Sequence, residues 1–171
     1  FEEDKDGNLT DKPMDVFNHC LAAGTMIATD HGNVPIEDVQ VGDMVLTHLG
    51  YRKVLASGIT RPEPAEIWRI ETEGGNILEG TFDHPLPRNP DHPCHEDVLP
   101  LGHSAGSMIR IVGGGRDCVM SVIPAGRVEY VYDLTVDEAH DFFANGILVS
   151  NCMDSLRYAK SKLMGKGKGL V

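Results

Sequence analysis

The chain has 171 residues, enough for one ordinary domain with its own core. Its 41% apolar and 24% charged residues exclude a wholly disordered chain and a collagen-like fibre. The formal net charge of -11 disfavours nucleic acid as a partner unless basic side chains gather on one face. No apolar stretch reaches the roughly 18 residues of a membrane span, and no signal peptide is apparent.

The charge divides the chain into three pieces. Residues 1–19 carry a net charge of -4, residues 20–151 carry -11, and residues 152–171 carry +4. The first residue is Phe1 rather than methionine, which predicts a segment of a longer protein. The four cysteines form no C-x-x-C pair, so reduced thiols and a cytoplasmic location are expected.

The middle piece is predicted to be rich in β-structure. Its apolar residues fall in short runs between turn signals, without a sustained period of 3.6. One short helical turn is predicted at 36–38, a long loop at 85–106, and turns at 113–115 and at Asn145-Gly146. The predicted strands cover 25–29, 44–47, 51–59, 67–73, 76–79, 128–136 and 147–149. Beyond them, apolar spacing over 153–164 predicts a short amphipathic helix.

A cysteine opens the β-rich piece and an Asn-Cys dipeptide closes it. Cys20 follows His19, and Asn151 precedes Cys152. A thiol beside the carbonyl of the preceding residue can attack it and convert the amide to a thioester. That N-to-S shift is uphill, because an amide is more stable than a thioester, so the fold has to assist it.

Three side chains have the chemistry for that assistance. A histidine with the ordinary pKa of about 6.5 can deliver a proton at neutral pH, so His84 is expected to protonate the departing amide nitrogen. The Thr81 hydroxyl can hold the scissile amide by a hydrogen bond. Asp133 can accept the proton of Cys20, whose free thiol is only a few per cent ionised at neutral pH.

Taken together, four sequence blocks resemble inteins, the self-splicing protein inserts, in their minimal form without an endonuclease. The blocks are CLAAGT at 20–25, GTFDH at 80–84, VYDLTV at 131–136 with HDFFANG at 140–146, and ILVSNC at 147–152. The resemblance implies a mostly β, horseshoe-shaped Hint fold, the fold shared by hedgehog and intein domains, in which the two ends of the insert lie side by side.

The resemblance also implies the domain limits and the residue roles. Residues 1–19 and 152–171 are the flanks, and residues 20–151 form the splicing domain. Cys20 forms the thioester, Cys152 takes over the acyl group, Asn151 cyclises to a succinimide with His140 as acid or base, and an S-to-N shift joins His19 to Cys152. No cofactor, metal or external partner is implied; the expected protein is a monomer that acts in cis on its own flanks.

The resemblance extends to the flanks and departs at one position. Inteins usually have histidine before the terminal asparagine, whereas this chain has Ser150, which places more weight on His140. Joining 17–19 to 152–159 produces FNH-CMDSLRYA, which resembles the nuclease region of phage terminase large subunits, with Asp154 as a metal-binding residue. The predicted setting is therefore the cytoplasm of a phage-infected or lysogenic bacterium.

Three other interpretations remain open on the residues. One is an intein-like or hedgehog-type domain that cleaves without ligation. Another is a metal-dependent phage nuclease fragment built around Asp154. The third is a zinc-stabilised β-module, although its metal-type side chains fit no usual zinc spacing. These side chains are His92, Cys94, His95 and His103.

Overall fold

The computed structural model describes residues 19–59, 64–94 and 96–151, where regular structure is almost entirely β, as the sequence predicts. Two 3-10 turns, Ile36–Asp38 and Leu101–His103, interrupt the strands. The strands are β1 Leu21–Ala22, β2 Met26–Thr29, β3 Gly32–Pro35, β4 Met44–Thr47, β5 Gly50–Ile59, β6 Ala65–Thr72, β7 Ile77–Gly80, β8 Pro85–Pro87, β9 Val98–Pro100, β10 Met108–Arg110, β11 Arg116–Val128, β12 Val131–Val136, β13 Asp141–Ala144 and β14 Ile147–Ser150.

Several sequence predictions lie outside these ranges. The flank 1–18, the amphipathic helix expected at 153–164 and the residues Cys152 and Asp154 are among them, as is His95.

One long sheet places the first described strand in its middle. Its order is β10-β11-β6-β7-β1-β12-β5-β4-β2-β13-β14, with β3 beside β2, and β8 and β9 form a separate pair. The short strand β1 pairs antiparallel with both β7 and β12. The sheet curves until its ends meet, because Ile111, just after β10, bridges to Ile147 in β14. The Val112 N–H also donates to the Gly146 carbonyl at 2.9 Å.

The core lies inside this curved sheet. In β2 and β6 buried positions largely alternate with more accessible ones, as expected for strands with one face toward water. All residues of β13 and β14 are buried, so the closing hairpin is enclosed on both faces. The core side chains include Leu21, Ile27, Val45, Ile70, Leu78, Leu134, Phe142 and Val149.

Two predictions about local structure are wrong. The loop expected at 85–106 contains the antiparallel pair β8–β9, in which Pro85 lies opposite Pro100, and the 3-10 turn that follows. The strand predicted at 128–136 is in fact the end of β11 and the whole of β12. The 13-residue β11 escapes a pattern search because register shifts near Val119 and Pro124 interrupt its alternation.

The Asn145-Gly146 turn is confirmed, and the asparagine does more than reverse the chain. Both residues have positive φ, 49° and 81°, as the tight turn between β13 and β14 requires. The Asn145 side chain accepts from the Met26 N–H at 2.7 Å and donates to the Ile77 carbonyl at 2.7 Å. The turn thereby fastens the C-terminal hairpin to β2 and β7.

Candidate active site

Cys20 and Thr81 form the closest contacts of the candidate site. The Cys20 main-chain N–H donates to Thr81 Oγ1 at 3.0 Å, and the Thr81 N–H donates to the Cys20 carbonyl at 2.9 Å. The Thr81 hydroxyl also lies 3.4 Å from that carbonyl, as its donor. Both residues are buried. The nitrogen of the His19–Cys20 peptide bond is therefore held by the hydroxyl that the sequence analysis assigned to it.

His84 lies one turn further along the same segment and is fully buried. Its Nδ1 contacts the Pro85 carbonyl at 3.3 Å; since a carbonyl only accepts, Nδ1 carries the hydrogen and Nε2 carries the lone pair. Nε2 is buried and has no hydrogen-bond partner among the described residues. Burial, reinforced by the nearby His19, lowers the pKa of His84 to about 3.

This electrostatic environment corrects the sequence-based expectation for His84. A histidine with an ordinary pKa would be partly protonated at neutral pH, whereas His84 is neutral there. At neutral pH its Nε2 therefore presents a lone pair rather than a proton.

Asp133 lies opposite the Cys20 position in the register of the adjacent strands β1 and β12. In the β1–β12 pair Leu21 lies opposite Tyr132 and Ala22 opposite Val131, so the same register one step further places Cys20 opposite Asp133. Burial raises the pKa of Asp133 to about 7, despite the Leu134 N–H that donates to its Oδ1 at 2.8 Å. A carboxyl with that pKa is poised to exchange protons at neutral pH.

His19 and Asp83 form a further contact at this junction that the sequence analysis did not identify. His19 Nδ1 lies 2.9 Å from the Asp83 carbonyl and 3.7 Å from Asp83 Oδ1. Although burial opposes it, the hydrogen bond and charge of His19 hold the pKa of Asp83 below its ordinary value. The residue whose carbonyl would be attacked is thus anchored to the Thr81–His84 segment.

The C-terminal junction is equally enclosed. The Asn151 N–H donates to the His140 carbonyl at 2.8 Å, which extends the β13–β14 pairing to the terminal asparagine. His140 has a φ of 58°, a conformation that is rare outside glycine and occurs often at functional sites. Asn151 and Ser150 are each 1% exposed, and neither the Asn151 amide nor the Ser150 hydroxyl has a hydrogen-bond partner among the described residues.

The chain path connects the two junctions. The segment that begins at Thr81 continues from His84 directly into β8, and β8 packs against β14, whose last residue precedes Asn151. Six of the seven predicted site residues are described. Thr81 and His84 belong to this segment and Asn151 follows β14, whereas Cys20 precedes β1, Asp133 lies in β12 and His140 precedes β13. The seventh, Cys152, lies outside the described residues.

The described ranges contain no group of side chains that supports the interpretation as a zinc-stabilised module. Within them no three His, Cys, Asp or Glu side chains lie together in a way that could hold a metal ion. The His103 ring instead packs edge-on against Phe82, with 4.9 Å between centroids, and Phe82 packs against Trp68 in the same way at 5.2 Å. None of the described helices is long and apolar enough to span a membrane.

Comparison with known proteins agrees with the observed architecture. The family model of the Hint domain matches residues 19–73. The crystal structure of the gp41-1 intein is 23% identical, with a TM-score of 0.67 over 77% of this chain and 98% of that one. A DnaB intein from Synechocystis sp. PCC 6803 is 18% identical, with a TM-score of 0.65 over 77% and 97% of the two chains.

A bacterial intein-like domain from Clostridium thermocellum is 26% identical, with a TM-score of 0.64 over 77% and 98% of the two chains. No curated protein matches the sequence. The fold is therefore the Hint fold of hedgehog and intein domains, as the sequence blocks imply. Among proteins with this fold, the chain is similar both to inteins and to a bacterial intein-like domain.

Proposed function

We propose that residues 20–151 are a mini-intein that excises itself and joins residues 1–19 to residues 152–171. The observation that carries this proposal is the hydrogen bond from the Cys20 amide nitrogen to the buried Thr81 hydroxyl. It holds the atom that must leave when Cys20 attacks the His19 carbonyl. The Hint fold and the similarity to inteins support the same function.

The first step is the N-to-S shift. Cys20 Sγ bonds to the His19 carbonyl carbon, the bond from that carbon to the Cys20 nitrogen breaks, and the thiol proton ends on the released amine. Asp133, whose pKa is raised to about 7, accepts the thiol proton. Because His84 is neutral beforehand, a proton that it receives in a dry site is readily given to the leaving nitrogen.

The later steps use the C-terminal junction. The Cys152 thiol takes the acyl group from Cys20 and forms a branched intermediate. The Asn151 side-chain nitrogen then bonds to its own main-chain carbonyl carbon, the Asn151–Cys152 bond breaks, and His140 serves as acid or base. The freed Cys152 amine finally captures its thioester and forms a peptide bond. The reaction is single-turnover, proceeds in cis and consumes no nucleotide.

A second candidate function is cleavage without ligation, which the similarity to the bacterial intein-like domain favours. The two functions differ in the need for Cys152. Ligation requires its thiol, whereas release of the flanks by hydrolysis does not.

We further propose that the flanks belong to a phage terminase large subunit. Splicing would join 17–19 to 152–159 and complete a helix that carries Asp154, so the host protein would gain its metal-dependent nuclease only after the insert leaves. The proposed setting is a bacterial cytoplasm, with the chain acting as a monomer.

Intact mass after incubation in reductant tests the proposed function. Splicing yields one product in which residues 1–19 are joined to residues 152–171, together with free residues 20–151. Cys20→Ala should abolish ligation and leave only C-terminal release. Cys152→Ala should abolish ligation while the N-terminal flank is still lost by hydrolysis, and Cys94→Ala, in an exposed cysteine, is the matched control. If the unmodified chain yields separate flanks, its function is cleavage without ligation rather than splicing. An unchanged mass would contradict both proposed functions.

A further inference from the structure

A partly buried pair of a histidine and a carboxylate lies outside the residues used so far. The Asp141 carboxylate receives two contacts from His48: the His48 N–H donates to Oδ1 at 3.1 Å, and His48 Nδ1 lies 2.5 Å from Oδ2. The side chains are 21% exposed in His48 and 5% in Asp141. They are 93 residues apart in sequence.

Each partner is held by its own element. His48 lies in the turn between β4 and β5, which the Thr47 hydroxyl fixes by donating to the Gly50 carbonyl at 2.6 Å. Asp141 is the first residue of β13 and directly follows His140. The pair therefore fastens the β4–β5 turn to the point where the chain leaves the strained His140.

That point is next to the asparagine that would cyclise. Asp141 lies opposite Ser150 in the β13–β14 register, so the two side chains share one face of the hairpin. The next link in the ladder is the hydrogen bond from Asn151 N–H to the His140 carbonyl. The Asn151 amide is buried without a hydrogen-bond partner among the described residues, so its orientation there depends on the main chain at the end of this hairpin.

We propose that the His48–Asp141 pair is a positioning unit for asparagine cyclisation, which keeps Asn151 and His140 in the geometry for attack by the side-chain amide. This inference rests on the proposed function and deepens it. The attack forms the bond from Asn151 Nδ2 to its own carbonyl carbon and breaks the bond to Cys152, and the amide proton ends on the Cys152 amine. Small displacements of such reacting groups reduce rates by as much as about 100-fold.

The pair has a specific role in a chain with Ser150 before the asparagine. Ser150 is buried, and its hydroxyl lacks a partner among the described residues. Unlike the usual histidine, a serine hydroxyl does not titrate near neutral pH, so it offers no acid–base group of its own. The contact that orders this end of the hairpin comes instead from His48, across the sheet. Arg110 is the other charged group that acts on Asp141, and its own head group contacts the Pro90 carbonyl at 3.3 Å.

Variants of His48 in a Cys20→Ala parent test the assignment, because that parent is limited to C-terminal release. His48→Leu should slow the release about 10- to 100-fold. His48→Asn places an amide N–H near the position of Nδ1 and should restore the rate to within about threefold, a rescue that mere packing would not produce. His31→Leu is the control, since His31 faces Asp30 at 3.4 Å but is 84% exposed, and it should leave the rate unchanged.

A parallel series separates positioning from general destabilisation. In an Asn151→Ala parent, thiol-induced loss of the N-terminal flank should stay within about twofold after His48→Leu. If the Cys20→Ala parent releases its C-terminal flank and its His48→Leu variant releases it equally fast, the positioning role of His48 is wrong and the proposed function stands. Equal slowing of both junctions, or no rescue by asparagine, would do the same. A Cys20→Ala parent that never releases the flank would overturn the proposed function and the assignment with it.

Discussion

At the scale of single residues, burial changes what each candidate group does. Sequence reasoning predicts Cys20 as a nucleophile and Thr81, His84 and Asp133 as its helpers, but the ionisation of His84 and Asp133 is set by the surrounding core. The low pKa of His84 and the high pKa of Asp133 have the same physical cause, since both environments disfavour the charged form. At neutral pH His84 is therefore neutral, and Asp133 is close to its titration midpoint.

The contact between Thr81 and the Cys20 nitrogen leads to a prediction at this scale. Thr81→Val keeps the shape of the side chain but leaves a buried N–H unsatisfied, at a cost of about 1–3 kcal/mol. If that hydrogen bond assists departure of the nitrogen, N-terminal thiolysis in an Asn151→Ala parent should slow about 5- to 100-fold. Thr81→Ser retains the hydroxyl and should retain most of the rate. A valine variant as fast as the parent would show that Thr81 is only structural.

At the scale of elements, the short strand β1 is the component that fixes the N-terminal junction. It has only two residues, yet it pairs with both β7 and β12. Strand β7 ends directly before Thr81, and β12 contains Asp133. The close approach of β7 to the junction depends on Gly80. A Cβ at Gly80 would lie 2.9 Å from the Cys20 carbonyl oxygen and 2.9 Å from Leu21 Cδ2.

Gly80→Ala should therefore separate β7 from β1. We expect a loss of about 1–3 kcal/mol in unfolding free energy from overpacking, together with slower thioester formation, because the Thr81 hydroxyl moves with the strand. Gly115→Ala is the control, since its Cβ would meet only Ile111 at 3.7 Å. Urea unfolding and N-terminal thiolysis of both variants check this expectation. Equal behaviour of the two alanine variants would contradict the role given to Gly80.

At the scale of the whole molecule, closure of the sheet determines which distant groups meet. The β10 and β14 ends of the sheet join through Ile111 and Ile147, and β8 carries the chain from His84 onto β14. Because the site is enclosed between these elements, the pKa values of its buried groups differ between the folded and unfolded chain. The unfolding free energy of the whole domain should therefore depend on pH.

The pKa shifts of Asp133 and His84 predict opposite contributions to the pH dependence of the unfolding free energy. Asp133 has a raised pKa, so its contribution is present below about pH 4 and is lost as the pH rises to about 7. His84 has a lowered pKa, so its contribution is present above about pH 6.5 and is lost as the pH falls toward 3. In a non-splicing Cys20→Ala, Asn151→Ala parent, urea unfolding measures both.

Relative to that parent, Asp133→Asn should gain stability as the pH rises from 4 to 7, by about 2–4 kcal/mol. His84→Gln should gain by a similar amount as the pH falls from 6.5 to 3. The same sign for the two variants, or no pH dependence, would show that these groups are not buried as described.

Sequence reasoning identified the β-rich body because runs of apolar residues and turn signals are local properties. It placed the Asn145-Gly146 turn and seven of the fourteen described strands, and it selected Cys20, Thr81, His84, Asp133, His140 and Asn151 from residue chemistry and block order. It left the short strands β1, β3, β10 and β13 unassigned. It missed β11, since bulges disrupt the alternation, and β8–β9, where proline conceals a short pair. The roles of the selected residues and of Cys152 remain predictions.

The sequence alone determined a β-rich class, from apolar runs and turn signals, and the kinds of chemical groups at each end of the domain. The Hint fold followed from the resemblance of its four blocks to inteins. Only the tertiary structure decided the ionisation of His84 and Asp133, since a pKa depends on the neighbours that exclude water. It alone brought His19 to Asp83 and His48 to Asp141. Those pairs span 64 and 93 residues, and no local pattern links residues that meet only when the sheet curves.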